Sequence, residues 1–251
     1  MRRIVMTGVL MALTAGMTGA AGAATPASHH HSAAESQAAI AAALADPART
    51  DQTGDDQRRQ AAAVLAFAGV GPGDSVIDFL PGDGYWTRIL SGVVGPQGHV
   101  DAVWPSFGAK YATKTLPALQ ARGLANVTAE VQATPVPTAT SPVDLVMTVQ
   151  NYHDLPASGI AAFNAGVFKA LKPGGVYLIV DHADTVGAVP TVPFKHRIDP
   201  NVVRSQVVAA GFRFAGSSPV LRNPADDHSK PVFDPTVRGH TDQFVFKFVK
   251  P

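Results

Sequence analysis

Two short stretches of this sequence carry residue types that do chemistry when brought together. The first, VIDFLPGDGYWTRIL from Val76 to Leu90, ends an apolar run at Asp78 and Phe79, then sets Gly82 and Gly84 before Tyr85, Trp86 and Thr87. Glycines there let the backbone approach a ligand closely and adopt positive φ, and Asp78 can accept a hydrogen bond from a loop amide or a cationic ligand group. Leu80 stands where such a loop commonly has its first glycine, and Pro81 follows it. The full G-x-G-x-x-G pattern of a pyrophosphate loop is missing, which disfavours a dinucleotide. The second stretch, QNYHDLP, sets Asn151, Tyr152, His153 and Asp154 in a row. Asn151 can bind a cofactor or a substrate heteroatom, and Tyr152 offers a ring wall and a hydroxyl. His153 can take a proton, with Asp154 orienting it. Asp before Leu-Pro is also good turn chemistry, so a purely structural role stays open beside the catalytic one.

More His and Asp follow. Asp181-His182 closes an apolar strand, and His196, Asp199, Asp226, Asp227 and His228 come after it. Two His and two Asp hold zinc or another divalent ion if they meet in space. No pair has i, i+4 or CxxC-type spacing, so no metal ligands are assigned and Asp199 reads most simply as a helix cap and RNPADDHS as a turn-rich loop, while a metal-assisted hydrolase or lyase using these His/Asp loops stays open as an alternative. Arg197, Arg222 and Arg238 can neutralise a carboxylate substrate or, more simply, form ion pairs. No serine-nucleophile elbow, Walker loop or HExxH is present.

The elements that must position these residues alternate along the chain. Residues 35–45 are Ala-rich and helical, DPARTDQTGDDQ reads as a polar linker, and Ala61, Val64, Leu65 and Ala68 recur at helical spacing before Gly69. Strands are expected at Ser75–Leu80, GHVDAVW, NVTAEVQ, VDLVMTV and VYLIVDH. Helices are expected between them at Tyr85–Val93, Lys110–Arg122 and along the Ile160–Leu171 face, the last closed by KPGG. Asp199-Pro200 starts a helix that carries Val203 and Val207, and FRFAGSS and DQFVFKFVK close the chain as two strands without a helix between them. The pattern predicts a single α/β domain, a Rossmann-like doubly wound, mostly parallel sheet with an antiparallel C-terminal edge strand. In such a sheet ligands sit at the carboxyl ends of the strands, where both chemical stretches fall.

Composition bounds the function classes. Hydrophobic content of 46% against 16% charged residues suits a compact domain, and a net charge of +1 without a basic stripe argues against nucleic acid. MRR, an apolar middle and AGA at Ala21–Ala23 read as a signal peptide over residues 1–24, which predicts a periplasmic or secreted protein with no stable membrane insertion after cleavage. Residues 25–56 read as a flexible and helical N-terminal segment, with His29-His30-His31 an adventitious tract, and residues 57–251 as the domain. There is no cysteine, so no disulfide framework and no lipid anchor at a lipobox.

VIDFLPGDGYWTRIL resembles the first motif of class I S-adenosylmethionine-dependent methyltransferases, a strand ending in Asp/Glu-x-Gly-x-Gly-x-Gly. VDLVMTVQNYHDL and LKPGGVYLIVDH resemble their fourth-strand motif and the segment leading into their fifth strand, and the likeness spans roughly Ala61 to Pro251. More narrowly, NYHDL, AAGF, LRNPADDHS and VFDPTVRGHTDQFVFKF are similar to a family of exported bacterial proteins called predicted methyltransferases. The resemblance implies the class I fold, S-adenosylmethionine as cofactor and a small-molecule methyl acceptor; the alternative is a methyltransferase-like binding protein that has lost the chemistry. It implies that Asp78, Gly82 and Gly84 line the methionine end of the cofactor, with Leu80, Pro81, Asp83, Tyr85, Thr87 and Asn151 around it. Trp104 ends the second strand where an acid normally grips the ribose hydroxyls. An indole can stack on adenine but accepts no hydrogen bond, and losing a charged acceptor costs about 1.5–3 kcal/mol, roughly ten- to a hundredfold in affinity.

Overall fold

The computed structural model describes residues 31–188 and 194–251. The predicted signal peptide, His29 and His30 lie outside the described residues. Among those described, no helix is long and apolar enough to cross a membrane.

Strand β1 (Ser75–Phe79) shows why a sheet forms here. Its side chains alternate, Val76 packing into one apolar layer and Ile77 and Phe79 into the layer on the opposite face. Around it run β2 (His99–Trp104), β3 (Val127–Val131), β4 (Val143–Val149), β5 (Leu171–His182), β6 (Arg213–Ser218) and β7 (Gln243–Val249). The seven strands take the order β3-β2-β1-β4-β5-β7-β6. The first five are parallel, β7 pairs antiparallel with both β5 and β6, and the expected antiparallel edge is this closing pair.

Helices cover both faces. α1 (Ala33–Leu44), α2 (Ala61–Ala68) and α3 (Tyr85–Val94) bury Ile40, Leu65, Ile89 and Val93 against Val76, Val100, Met147 and Leu178. α4 (Ala109–Ala121), which runs on through Pro117, sets Ala112 and Leu119 on Ala102 and Trp104. On the other face, α5 (Ile160–Ala170) and α6 (Pro200–Ala209) bring Phe163, Val167, Val203 and Val207 onto Val146, Tyr177 and Phe248. α6 starts as its sequence demands: Asp199 Oδ1 accepts from Asn201 N at 2.8 Å, and Pro200 takes the first helical position.

The segment before α2 departs from its reading as a linker. Arg49 is buried, donating to Leu44 O at 3.0 Å and to Asp56 Oδ1 at 2.6 Å, and Asp56 also accepts from the Tyr85 hydroxyl at 2.7 Å. Arg88 of α3 reaches back to both oxygens of Asp51 at 2.9 Å. Its polar residues satisfy one another, so a composition that reads as solvated turn instead straps the chain over α3. His31 is folded in as well, its Nε2 3.0 Å from Asp74 Oδ2, and Ser32 forms a capping box with Glu35.

Candidate functional site

β1 is the point where the strand order reverses, with β2 on one side and β4 on the other, so the crevice for a ligand opens above its carboxyl end. The turn that follows keeps a glycine-like backbone. Leu80 adopts φ +54°, the left-handed conformation that glycine reaches without strain, at a cost of about 1–2 kcal/mol. Its side chain is drawn sideways onto the α4 entry, where a Cβ added at Gly108 would stand 2.6 Å from Leu80 Cδ2. Asn151 pins the turn from β4, its Nδ2 donating to Leu80 O at 3.1 Å and Phe79 O at 3.4 Å. Gly82, at φ +59°, has nothing within 4 Å of an added Cβ, whereas Gly84 is pressed against Leu119 at 2.9 Å.

Asp78 lies beneath this turn, buried on α3's side, and accepts from the Thr87 hydroxyl at 2.6 Å. Burial raises its carboxyl to about 7, the Thr87 bond only partly offsetting it. Between the ordinary value of 3.8 and about 7 the folded chain holds a proton that the unfolded chain releases. This contribution therefore favours folding at low pH and is lost as pH rises through that window. His182 titrates in the opposite sense there, since burial depresses it to about 4 from 6.5. Comparing thermal melts of wild type and Asp78→Asn isolates the carboxyl: the variant is expected to gain stability at pH 8 and to match wild type only below the ordinary value of 3.8.

The crevice is a cleft of about 750 Å³ with Leu80, Gly82, Trp104 and Asn151 on one side and His153, Asp154, His182 and His196 on the other. That size lies inside the roughly 300–1,000 Å³ typical of small-molecule sites. Phe107, Tyr111 and Phe233 expose apolar rings along it, and Lys110 and Lys114 make part of its wall basic. Trp104 forms buried floor against Ala112 and Leu119, and its indole N–H has no partner among the described residues. Of the sequence-predicted residues, Leu80, Gly82, Trp104, Asn151, His153 and Asp154 meet at this cleft. Asp78 and Thr87 support the turn from below, Pro81 and Gly84 are buried, and Asp83 caps the turn by accepting from Tyr85 N at 3.3 Å. Tyr85 turns away to Asp56.

The histidine side departs from the expectation in two respects. His153 is oriented by Asp181 at the end of β5 rather than by Asp154: Asp181 accepts from His153 Nδ1 at 2.6 Å and from His153 N at 2.9 Å. Tyr152 is no cleft wall, because its ring is core and its hydroxyl lies between Gln206 Oε1, at 3.0 Å, and Asn164 Nδ2, at 2.9 Å. Asp154 is exposed and sits between two imidazoles, 3.4 Å from His153 Nε2 and 3.3 Å from His196 Nδ1. Burial pushes His153 down, but the Asp181 charge and hydrogen bond, with Asp154, outweigh it and leave the imidazole raised. Burial likewise pushes Asp181 up, and His153 overrides it, so this carboxyl is held below its ordinary value. The pair is an imidazole fixed in tautomer and direction, with Nε2 turned to the cleft beside Asp154.

The remaining polar candidates are structural. Arg197 and Asp226 form a buried bidentate pair at 2.8 and 3.1 Å, Arg222 and His228 both hold Asp242, and Asp199 caps α6. His182 and His196, which line the cleft, and the buried Asp181, which orients His153 from beneath it, are the residues that the motifs did not place in the site. Asp181 and His182 were legible as the end of an apolar strand on the ligand edge. Nothing in spacing announces His196, since it comes from an irregular segment and sits at φ +56°.

No protein-family model matches the chain, and no curated protein sequence does. Solved structures do. A SAM-dependent methyltransferase from Aquifex aeolicus shares 18% identity over 86% of this chain and 98% of its own, with a TM-score of 0.56. DhpI, solved in complex with SAH, shares 21% identity over 88% of this chain and all of its own, with a TM-score of 0.54. The fold is the class I methyltransferase fold. That fold also houses other chemistry: the [4+2]-cyclase SpnF matches at 15% identity over 77% of this chain and 80% of its own, with a TM-score of 0.59. Within the methyltransferase fold of this chain, the cleft, the glycine turn and the His153–Asp181 pair share the carboxyl edge of the sheet.

Proposed function

We propose that the protein is an exported, S-adenosylmethionine-binding methyltransferase acting on a small molecule. The observation that carries this reading is the open cleft over Gly82 at the sheet's switch point, with an oriented imidazole across it. The residues present fit the cofactor class in part. Gly82 leaves the backbone accessible and Leu80 holds the glycine-like turn with its side chain drawn aside, whereas Trp104 is fully buried floor and its indole N–H does not reach the surface of the cleft. Leu80, Gly82, Trp104 and Asn151 would hold the cofactor, which supplies an electrophilic methyl group when bound.

The chain's own work is positioning and proton transfer. His153, fixed through Nδ1 by Asp181, presents Nε2 as a proton acceptor for a hydroxyl, amine or thiol of the acceptor molecule. The exposed rings and lysines favour an acceptor with an apolar body and an anionic group. The basic start, apolar middle and AGA site of the leader support export.

Isothermal titration of the full chain with S-adenosylhomocysteine tests this reading. Binding weaker than in a site with a ribose-gripping acid, by roughly ten- to a hundredfold, is expected, together with its loss in Gly82→Arg. That substitution projects into open space but holds arginine in the left-handed backbone at φ +59°, at a cost of about 1–2 kcal/mol, so a thermal melt of the variant must first show that it is folded. No heat at millimolar ligand removes the reading. The absence of a carboxylate at the β2 end favours a second one, a methyltransferase-like binding protein without transfer chemistry. Turnover of any methyl acceptor, abolished by Gly82→Arg, would eliminate it.

A further inference from the structure

Asp154 is bracketed by two imidazole nitrogens in a way that the methyl-transfer reading does not use. Asp154 Oδ1 is 3.4 Å from His153 Nε2 and 3.3 Å from His196 Nδ1, and the three ligand atoms all lie within 4.8 Å of one another. A tetrahedral zinc with bonds of about 2.0–2.2 Å spaces its donors by about 3.4 Å. Two of the three edges already have that length, and the imidazole–imidazole edge is no longer than 4.8 Å. We propose that His153, Asp154 and His196 bind a zinc-type divalent cation on the wall of the cleft, with a coordination position open to it.

Three further observations support the site. His153 Nδ1 is held by the buried Asp181 at 2.6 Å, the carboxylate–histidine arrangement that fixes a metal-ligating imidazole and aims its other nitrogen outward. His196 is a non-glycine residue in the left-handed region, at φ +56°, a conformation the fold holds against local preference where its ring faces His153 and Asp154. All three residues line the same cleft, so the fourth position opens onto ligand space, as in catalytic rather than structural zinc sites. Lys110 and Lys114, which line the same cleft from α4, suit an anionic oxygen as the exogenous ligand. Metal and proton compete for His153 Nε2. In the loaded protein the metal would therefore lower the pKa of a coordinated acceptor hydroxyl, whose proton would leave to solvent water rather than to the imidazole.

The site goes beyond the methyltransferase reading and stands or falls separately from it. The test uses the full chain without an affinity histidine tag, in a His29→Ser/His30→Ser background that removes the other histidine tract. After chelator treatment and dialysis it is titrated with Co²⁺, then with Zn²⁺ in competition. One equivalent is expected to bind, with the visible absorption of four-coordinate cobalt, and zinc displaces it. His196→Ala and Asp154→Asn should each weaken binding by about a hundredfold, and Asp181→Asn by about 10–100-fold through the loss of orientation. Circular dichroism of each variant establishes that it is folded. Binding that survives His196→Ala unchanged, or no stoichiometric binding in the tail-substituted background, overturns the site. Either result leaves the S-adenosylhomocysteine titration untouched.

Discussion

Arg197→Ala is expected to lower stability by about 3–5 kcal/mol, the range for removing one partner of a buried ion pair. The side chains of Arg197 and Asp226 are 0% and 1% exposed, and their two bonds of 2.8 and 3.1 Å face each other in parallel. The guanidinium also donates to Ala183 O at 3.0 Å and Lys230 O at 2.9 Å, so little of its donor capacity is wasted. Deleting it leaves Asp226 charged without its cation, though still accepting from Asp242 N at 2.7 Å. At roughly 2–4 °C per kcal/mol for a domain of this size, the melting temperature should fall by about 10 °C. Replacing both partners, Arg197→Met with Asp226→Leu, should cost much less, because no buried charge is then left alone. The pair also matters to the cleft. Arg197 follows His196 directly, and Ala183, its carbonyl partner, bridges to Ile198 beside the end of β5. Calorimetric melts of the single and double variants check the prediction.

Asp181→Asn is expected to have the largest effect on proton transfer. Asp181 is fully buried and accepts from His153 Nδ1, His153 N and, at 2.7 Å, His182 N. An amide keeps the shape but removes the charge and turns a donor toward one of these N–H groups. His153 should lose the upward push that now outweighs burial, so its pKa should fall, as read by NMR titration of the chelator-treated protein. The exposed Asp154→Asn should move it less. The sign follows for stability. A raised imidazole favours folding at low pH, and that contribution disappears as pH rises through the folded-state value, so the variant should lose this dependence. Any methyl transfer that relies on His153 as base should drop by about 10²–10⁴-fold.

Most of the scaffold was legible because its signals are periodic. Val76, Ile77 and Phe79 alternate, Ile160, Phe163 and Val167 recur at helical spacing, and Asp199-Pro200 marks its helix start with a named hydrogen bond. The glycine turn was legible in place, though not in conformation: Leu80 stands where a glycine is usual, and the fold puts leucine into the glycine-like backbone with its side chain against Gly108. What the sequence concealed are contacts between distant polar residues. The Asp46–Gln57 stretch has the composition of a linker, yet Arg49–Asp56 and Arg88–Asp51 turn it into a strap. His153 sits beside Asp154 in sequence, while its orienting acid is Asp181, supplied by the parallel pairing of β4 with β5. His196 reaches the cleft through an irregular segment with no repeat to announce it.

The claim on which the functional account rests is that the cleft between the glycine turn and the end of β2 accepts an adenosine-bearing cofactor. A crystal structure of the full chain grown with S-adenosylhomocysteine tests it most directly. Ligand density is expected along Leu80, Gly82 and Trp104, with the His153 side of the cleft still open to an acceptor. Saturating ligand with that wall bare, or with the Leu80 side chain swung into the space above Gly82, would contradict it.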